Sequence, residues 1–93
     1  MDFVWEKIQI ENGHPSEKIL IIARNLRYAK AWCDVYNINY NSHMISFASH
    51  LNDLRGISGM HYVDLGTDDE DFRTLIERLK AMNAIKPLLT PNA

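Results

Sequence analysis

Arg24, Asn25 and Arg27 follow directly on the aliphatic run Lys18-Ile19-Leu20-Ile21-Ile22-Ala23 and are the residues whose types best suit chemistry. Two guanidinium groups beside the first turn of a helix can hold a phosphate or a partner's carboxylate through paired N–H donors. Ser49 and His50 follow a second apolar run, Met44–Ala48, and Gly66, Thr67 and Asp68 follow a third, Met60–Leu65. Ligands of open α/β sheets lie beyond the carboxyl ends of the strands, so these three corners should converge on one site. The candidate ligand-binding set is therefore Arg24, Asn25, Arg27, Ser49 and Thr67. A plainer account also fits: Asn25 caps a helix, the arginines are solvated, and Thr67 with its acidic neighbours caps a second helix.

The elements that must position these groups can be read from pattern. Residues 18–23 are apolar on both alternating faces, which suits a parallel strand covered on both sides. Asn25 is a natural N-cap for a helix to about Tyr36, with Leu26, Ala29, Cys33 and Tyr36 on one stripe. Asn37–Asn41 is a polar connection. Ser49 is placed to cap a short turn holding Leu51 and Leu54, stopped by Gly56. Thr67-Asp68-Asp69-Glu70 has the spacing of a capping box before a last helix carrying Phe72, Leu75, Ile76, Leu79 and Met82. Arg78 and Lys80 suit the negative end of that helix, and Pro87 blocks its extension.

Upstream, residues 3–10 read as a strand, closed by a turn in which Asn12-Gly13 supplies positive φ and Pro15 removes a ladder donor. The short link would set this strand antiparallel beside the next. The expected order is β-β-α-β-(short α)-β-α. That is a small three-layer α/β sandwich of Rossmann or P-loop-like type, with a mostly parallel sheet, right-handed crossovers, an extra N-terminal strand and a C-terminal amphipathic helix. The expectation is one domain over 1–93, with 87–93 a loose tail whose two leucines could dock on a neighbour.

Bulk properties bound the function. The 93 residues are 46% apolar and 24% charged, as in an ordinary globular protein, and the net charge of −2 opposes binding to nucleic acid or membrane by bulk charge. A chain this short buries a modest core, about 60–65% of its unfolded surface, so an uncovered apolar face would favour a partner. The single cysteine, Cys33, excludes an intrachain disulfide and reads as a buried hydrophobe. No apolar run approaches the ~20 residues of a membrane helix, and the N-terminus carries no signal-peptide pattern, so the expected location is cytoplasmic.

Other constellations are weaker. His14, His43, His50 and His61 have neither cysteine partners nor His-x-x-x-His spacing, so no metal is expected. The acids Asp68–Asp71 suit the positive end of a helix. Ser46, Ser49 and Ser58 lack a nucleophile elbow. Trp5, Trp32, Tyr28, Tyr36 and Tyr40 serve a core or an interface. Arg24, Arg27, Lys30 and Arg55 make the one candidate basic patch, opposed by the acidic last helix.

Leu54-Arg55-Gly56, followed by the apolar strand ending at Asp64, resembles the approach to the Walker B strand of phage terminase and helicase-type P-loop ATPases. The run at 18–25, followed by a helix, resembles the strand after their Walker A helix, so the resemblance spans about residues 18–66. It implies that Asp64 stands where the family's Mg²⁺-holding aspartate does, with Leu65 in place of the catalytic glutamate, and adds Asp64 to the candidate set. No Gly-x-x-x-x-Gly-Lys-Ser/Thr occurs in the chain, so the triphosphate has no seat. The pattern also looks like small phage proteins with a stripped-down Rossmann-like fold. The expectation is a non-enzymatic, phage-encoded interaction module without cofactor, acting in the host cytoplasm and binding itself or a host protein. The alternatives are a nucleotide-phosphate or small-ligand binder and, less favoured, a nucleic-acid accessory factor.

Overall fold

A computed structural model describes residues 8–49, 51–54 and 57–88. Strands β1 (Ile10–Glu11) and β2 (His14–Pro15) come first, then β3 (Ile19–Ile22) and helix α1 (Leu26–Val35). Strand β4 (Ile45–Ala48), a 3-10 turn (Leu51–Leu54), β5 (Met60–Asp64), α2 (Glu70–Ala81) and β6 (Ile85–Pro87) complete the order. The result is a small, compact α/β protein with one four-stranded, wholly parallel sheet in the order β4-β3-β5-β6.

Strand β3 is central because every one of its side chains can be buried: Ile19, Leu20, Ile21 and Ile22 are all fully enclosed. Alternation sends them to opposite faces. Leu20 and Ile22 join Phe72 and Ile76 of α2, Leu54 of the 3-10 turn, Tyr62 and Ile85. Ile19 and Ile21 join Ala29 and Cys33 of α1, with Ile8 and Ile38. Each enclosed aliphatic contributes about 1.5–3 kcal/mol, so this short strand ties together both layers.

Helix α1 begins where Asn25 accepts the Tyr28 amide at 3.3 Å. It ends on Asn37, whose φ of 58° lets the Ile38 amide reach the Cys33 carbonyl at 2.8 Å. Helix α2 ends the same way, with Asn83 at φ 59° and the Ala84 amide on the Leu79 carbonyl at 2.9 Å. Both ends are Schellman closures with asparagine in the position usually held by glycine.

Several expectations are corrected. Among the described residues, the end of the expected N-terminal strand pairs outside the main sheet: β1 and β2 form a separate antiparallel ribbon closed by Asn12 and Gly13, both at positive φ. Residues 3–7 of that expected strand lie outside the described residues, as do His50, Arg55 and Gly56. The last described element is a strand, because β6 follows α2 and pairs Met60 with Ile85 and Tyr62 with Pro87. Residues 85–87, the first of the expected tail among them, are thus held to the sheet, and Leu88 donates to the Tyr62 carbonyl at 2.8 Å. An outer strand tolerates Pro87 because its missing N–H faces away from the ladder.

The capping of α2 is also shifted. Asp69, not Thr67, is the N-cap, and its Oδ1 accepts from the amides of Asp71 at 2.9 Å and Phe72 at 3.2 Å. The Thr67 hydroxyl instead accepts the Asp69 amide at 3.2 Å. Before the 3-10 turn, the Asp53 carboxylate accepts the Ser49 amide at 3.0 Å. Two residues read as facing the core are exposed, Leu26 at 40% and Met82 at 67%.

Candidate functional site

Parallel register carries the three strand ends to one side of the sheet. Ile22 lies opposite both Ala48 and Asp64, so Ala23, Ser49 and Leu65 follow as neighbours. The Ala23 amide donates to Ala48 at 3.2 Å and the Leu65 amide to Ile22 at 2.7 Å, extending the ladder into the loops. Chain order reverses between β3 and β5, because β4 lies on one side of β3 and β5 on the other. Open α/β sheets form their binding crevices at such a reversal.

The polar groups there are committed to one another. Arg24 Nη2 meets Asp68 Oδ1 at 3.0 Å across the reversal. Both side chains are more than half exposed, so the ion pair is worth at most about 1 kcal/mol. The Asn25 side chain is used in capping α1. Asp64 folds back on its own loop, its Oδ1 accepting the Gly66 amide at 2.9 Å. Thr67 is buried; its hydroxyl holds the Asp69 amide, and its carbonyl accepts Arg73 Nη2 at 2.7 Å.

The charge of this corner is acidic. Asp64, Asp68, Asp69, Glu70 and Asp71 cluster around the start of α2, where Asp69 already neutralises the positive helix end. An anion arriving at Arg24 would have to displace Asp68 and lie close to the other carboxylates. The strand ends therefore bring Arg24, Ser49, Asp64 and Thr67 to one side of the sheet, where the side chains of Arg24, Asp64 and Thr67 are engaged within the joint itself.

Arg27 turns elsewhere. It lies with Leu26, Lys30, Ala31 and Asp34 along a shallow, open depression on the outer face of α1. That face also carries exposed apolar groups, Tyr28 at 50% and Val35 at 72% exposure. Tyr28, Ala31 and Val35 recur at i, i+3 and i+7, a second helical stripe opposite the buried Ala29 and Cys33. Sequence reading missed this stripe because it left the aromatics of α1 divided between core and interface and did not place Tyr28 with Ala31 and Val35 on one exposed face. The available signal was that a ten-residue helix carried apolar residues on both sides.

A second constellation is also non-local. His14 Nδ1 lies 2.9 Å from the Ser42 Oγ, which accepts the Met44 amide at 3.2 Å. His43 stands beside it, with ring centroids 6.2 Å apart. Ser42 is only 4% exposed, so its hydroxyl is sealed from substrate and serves to pin the β1–β2 ribbon to the α1–β4 loop. The Asn39 amide, 2.8 Å from the Gly13 carbonyl, adds a second pin. Cys33 is equally enclosed, and burial, with the nearby Asp34 charge, pushes its thiol up to about 11. A thiol so protonated is a poor nucleophile.

Among the described residues no cluster of His, Cys, Asp and Glu is placed to hold a metal ion, and no helix is long and apolar enough to cross a membrane. No protein-family model, curated protein or solved structure matches the chain.

Proposed function

We propose that the chain is a non-enzymatic protein-interaction module that docks a protein partner on the outer face of α1. The observation that carries this reading is the exposed stripe Tyr28–Ala31–Val35 beside an open depression, on a helix whose other side is fully packed. A large apolar helix stripe left in water favours association with a complementary surface. The two sequestered nucleophiles, Cys33 and Ser42, and the self-paired strand-end corner support a role other than catalysis. The strand order, with the first long strand in the sheet interior and a helix on each face, supports a reduced Rossmann-like framework. The framework itself does not select the function. The partner classes are a second copy of the chain and a host protein.

Site-directed photocrosslinking tests the reading. A benzophenone side chain at Ala31 should give a protein–protein crosslink in cells expressing the chain. The same group at exposed Ser58 should not. Substituting Tyr28 and Val35 together by serine should abolish the Ala31 crosslink. Equal crosslinking from both positions, or none from Ala31, would overturn the assignment.

A further inference from the structure

The outer face of α1 is charge-asymmetric along its length: Arg27 lies in its first turn and Asp34 near its last, with small, exposed Ala31 midway. Neither Arg27 nor Asp34 makes an ion pair among the described residues. Lys30, between them, lies over the Tyr40 ring at 5.7 Å, and among the described residues Arg27 is the cation of this face with no side-chain partner.

We propose that the partner is a second copy of the chain, packed α1 against α1 antiparallel about a two-fold axis at Ala31. This inference rests on the reading of α1 as a docking face and specifies its occupant. A two-fold contact must be self-complementary, with each group meeting its counterpart's opposite. Antiparallel pairing about position 31 sets Arg27 of one copy beside Asp34 and Val35 of the other, and Tyr28 beside Asp34. Two equivalent Arg–Asp pairs then flank the centre. Parallel pairing would instead put Arg27 on Arg27 and Asp34 on Asp34. At the crossing point the Ala31 methyl groups allow close approach, while Tyr28 and Val35 supply the apolar contact. The antiparallel helix dipoles also oppose favourably. A contact centred on one ten-residue helix belongs to the small, transient interface class, so the dimer should be weak.

Sedimentation equilibrium of the intact chain between about 5 µM and 1 mM, with charge-reversed variants, decides the matter. The wild-type protein should pass from its 10.8 kDa monomer to a dimer over this range. Arg27→Asp and Asp34→Arg should each weaken dimerisation by at least about tenfold. An equimolar mixture of the two single variants should dimerise again, and so should the double variant alone. Both substitutions fall on exposed positions of α1, and circular dichroism should be unchanged. A wild-type monomer at 1 mM, or a dimer indifferent to both reversals, would overturn the inference. If the Ala31 crosslink captures a different protein while the chain stays monomeric, the docking face stands and the second copy falls. If Ala31 crosslinks to nothing, both fall.

Discussion

Replacing Ile85 tests whether the segment after α2 truly completes the sheet. Ile85 is 2% exposed and packs in the cluster built around Leu20, Tyr62, Phe72 and Ile76. Its strand is tied to β5 along Met60, His61 and Tyr62, and flanked by the Gly59 amide on the Ala84 carbonyl at 2.8 Å. Cutting a buried isoleucine to alanine loses about 2–5 kcal/mol, through lost transfer energy and the cavity left behind. A mid-range loss of about 3 kcal/mol lowers the melting temperature of a chain this size by about 12–24 °C, at ~4–8 °C per kcal/mol. Ile85→Val should cost about 0.5–1.5 kcal/mol, a drop of about 2–12 °C. Met82→Ala, at a position 67% exposed and three residues away, is the control and should stay within about 0.5 kcal/mol of wild type. Thermal melts followed by far-ultraviolet circular dichroism supply the midpoints. Urea titrations check that the slope m, and with it the surface exposed on unfolding, is unchanged. If Ile85→Ala melts within about 3 °C of Met82→Ala, β6 contributes nothing and the sheet has three working strands.

Asn37→Gly and Asn83→Gly should be neutral or slightly stabilising, whereas alanine at either position should cost about 1 kcal/mol, because an L side chain resists positive φ; paired urea titrations measure the difference. Asp69→Ala should lose about 1 kcal/mol by freeing the amides of Asp71 and Phe72, and Asp69→Ser should retain most of it. Gly13→Ala should destabilise the β1–β2 ribbon, since a Cβ there would sit 3.1 Å from the Asn39 Cβ at φ +82°, and hydrogen exchange at the Asn39 amide should accelerate. Cys33 should resist thiol reagents at pH 8 until the fold opens. Its folded pKa, raised from 9.0 to about 11, makes the native state bind the proton more tightly, so stability should be unaffected below pH 9 and fall as pH rises from about 9 to 11. Cys33→Ala should reduce that alkaline slope in denaturant titrations, leaving the part from Tyr40, whose phenol pKa burial also raises.

The parts of this fold legible in sequence are those where burial leaves no choice. Strand β3 was readable because Ile19–Ile22 has no polar face to offer water, and α2 because Phe72 and Ile76 recur at helical spacing. The Asn12-Gly13 turn was readable because few residue pairs accept positive φ twice. Strand β6 was hidden because three residues carry no period, and Pro87 argues locally against a strand. Local chemistry was likewise ambiguous at α2, where Thr67 and Asp69 both suit an N-cap; folding put the Thr67 hydroxyl on the Asp69 amide instead. The candidate site was legible in position but not in state. Register brought Arg24, Ser49, Asp64 and Thr67 to one end, yet the Arg24–Asp68 pair joins residues 44 apart and has no sequence signature. The α1 stripe was obscured because Tyr28 and Val35 are the same residue types that fill cores.

The two rims of the sheet are not equivalent. On the β6 side, Pro87 and Lys86 interrupt an outer strand with a ring that cannot donate and a charge that repels its like. On the β4 side, Ile45-Ser46-Phe47-Ala48 carries neither proline nor charge, and among the described strands it is bonded only to β3. An unguarded strand edge is a template for further strands. Misassembly in concentrated or heat-stressed samples should therefore propagate from β4. A single lysine or proline introduced on that rim should improve solubility on storage more than the same change on the already guarded side.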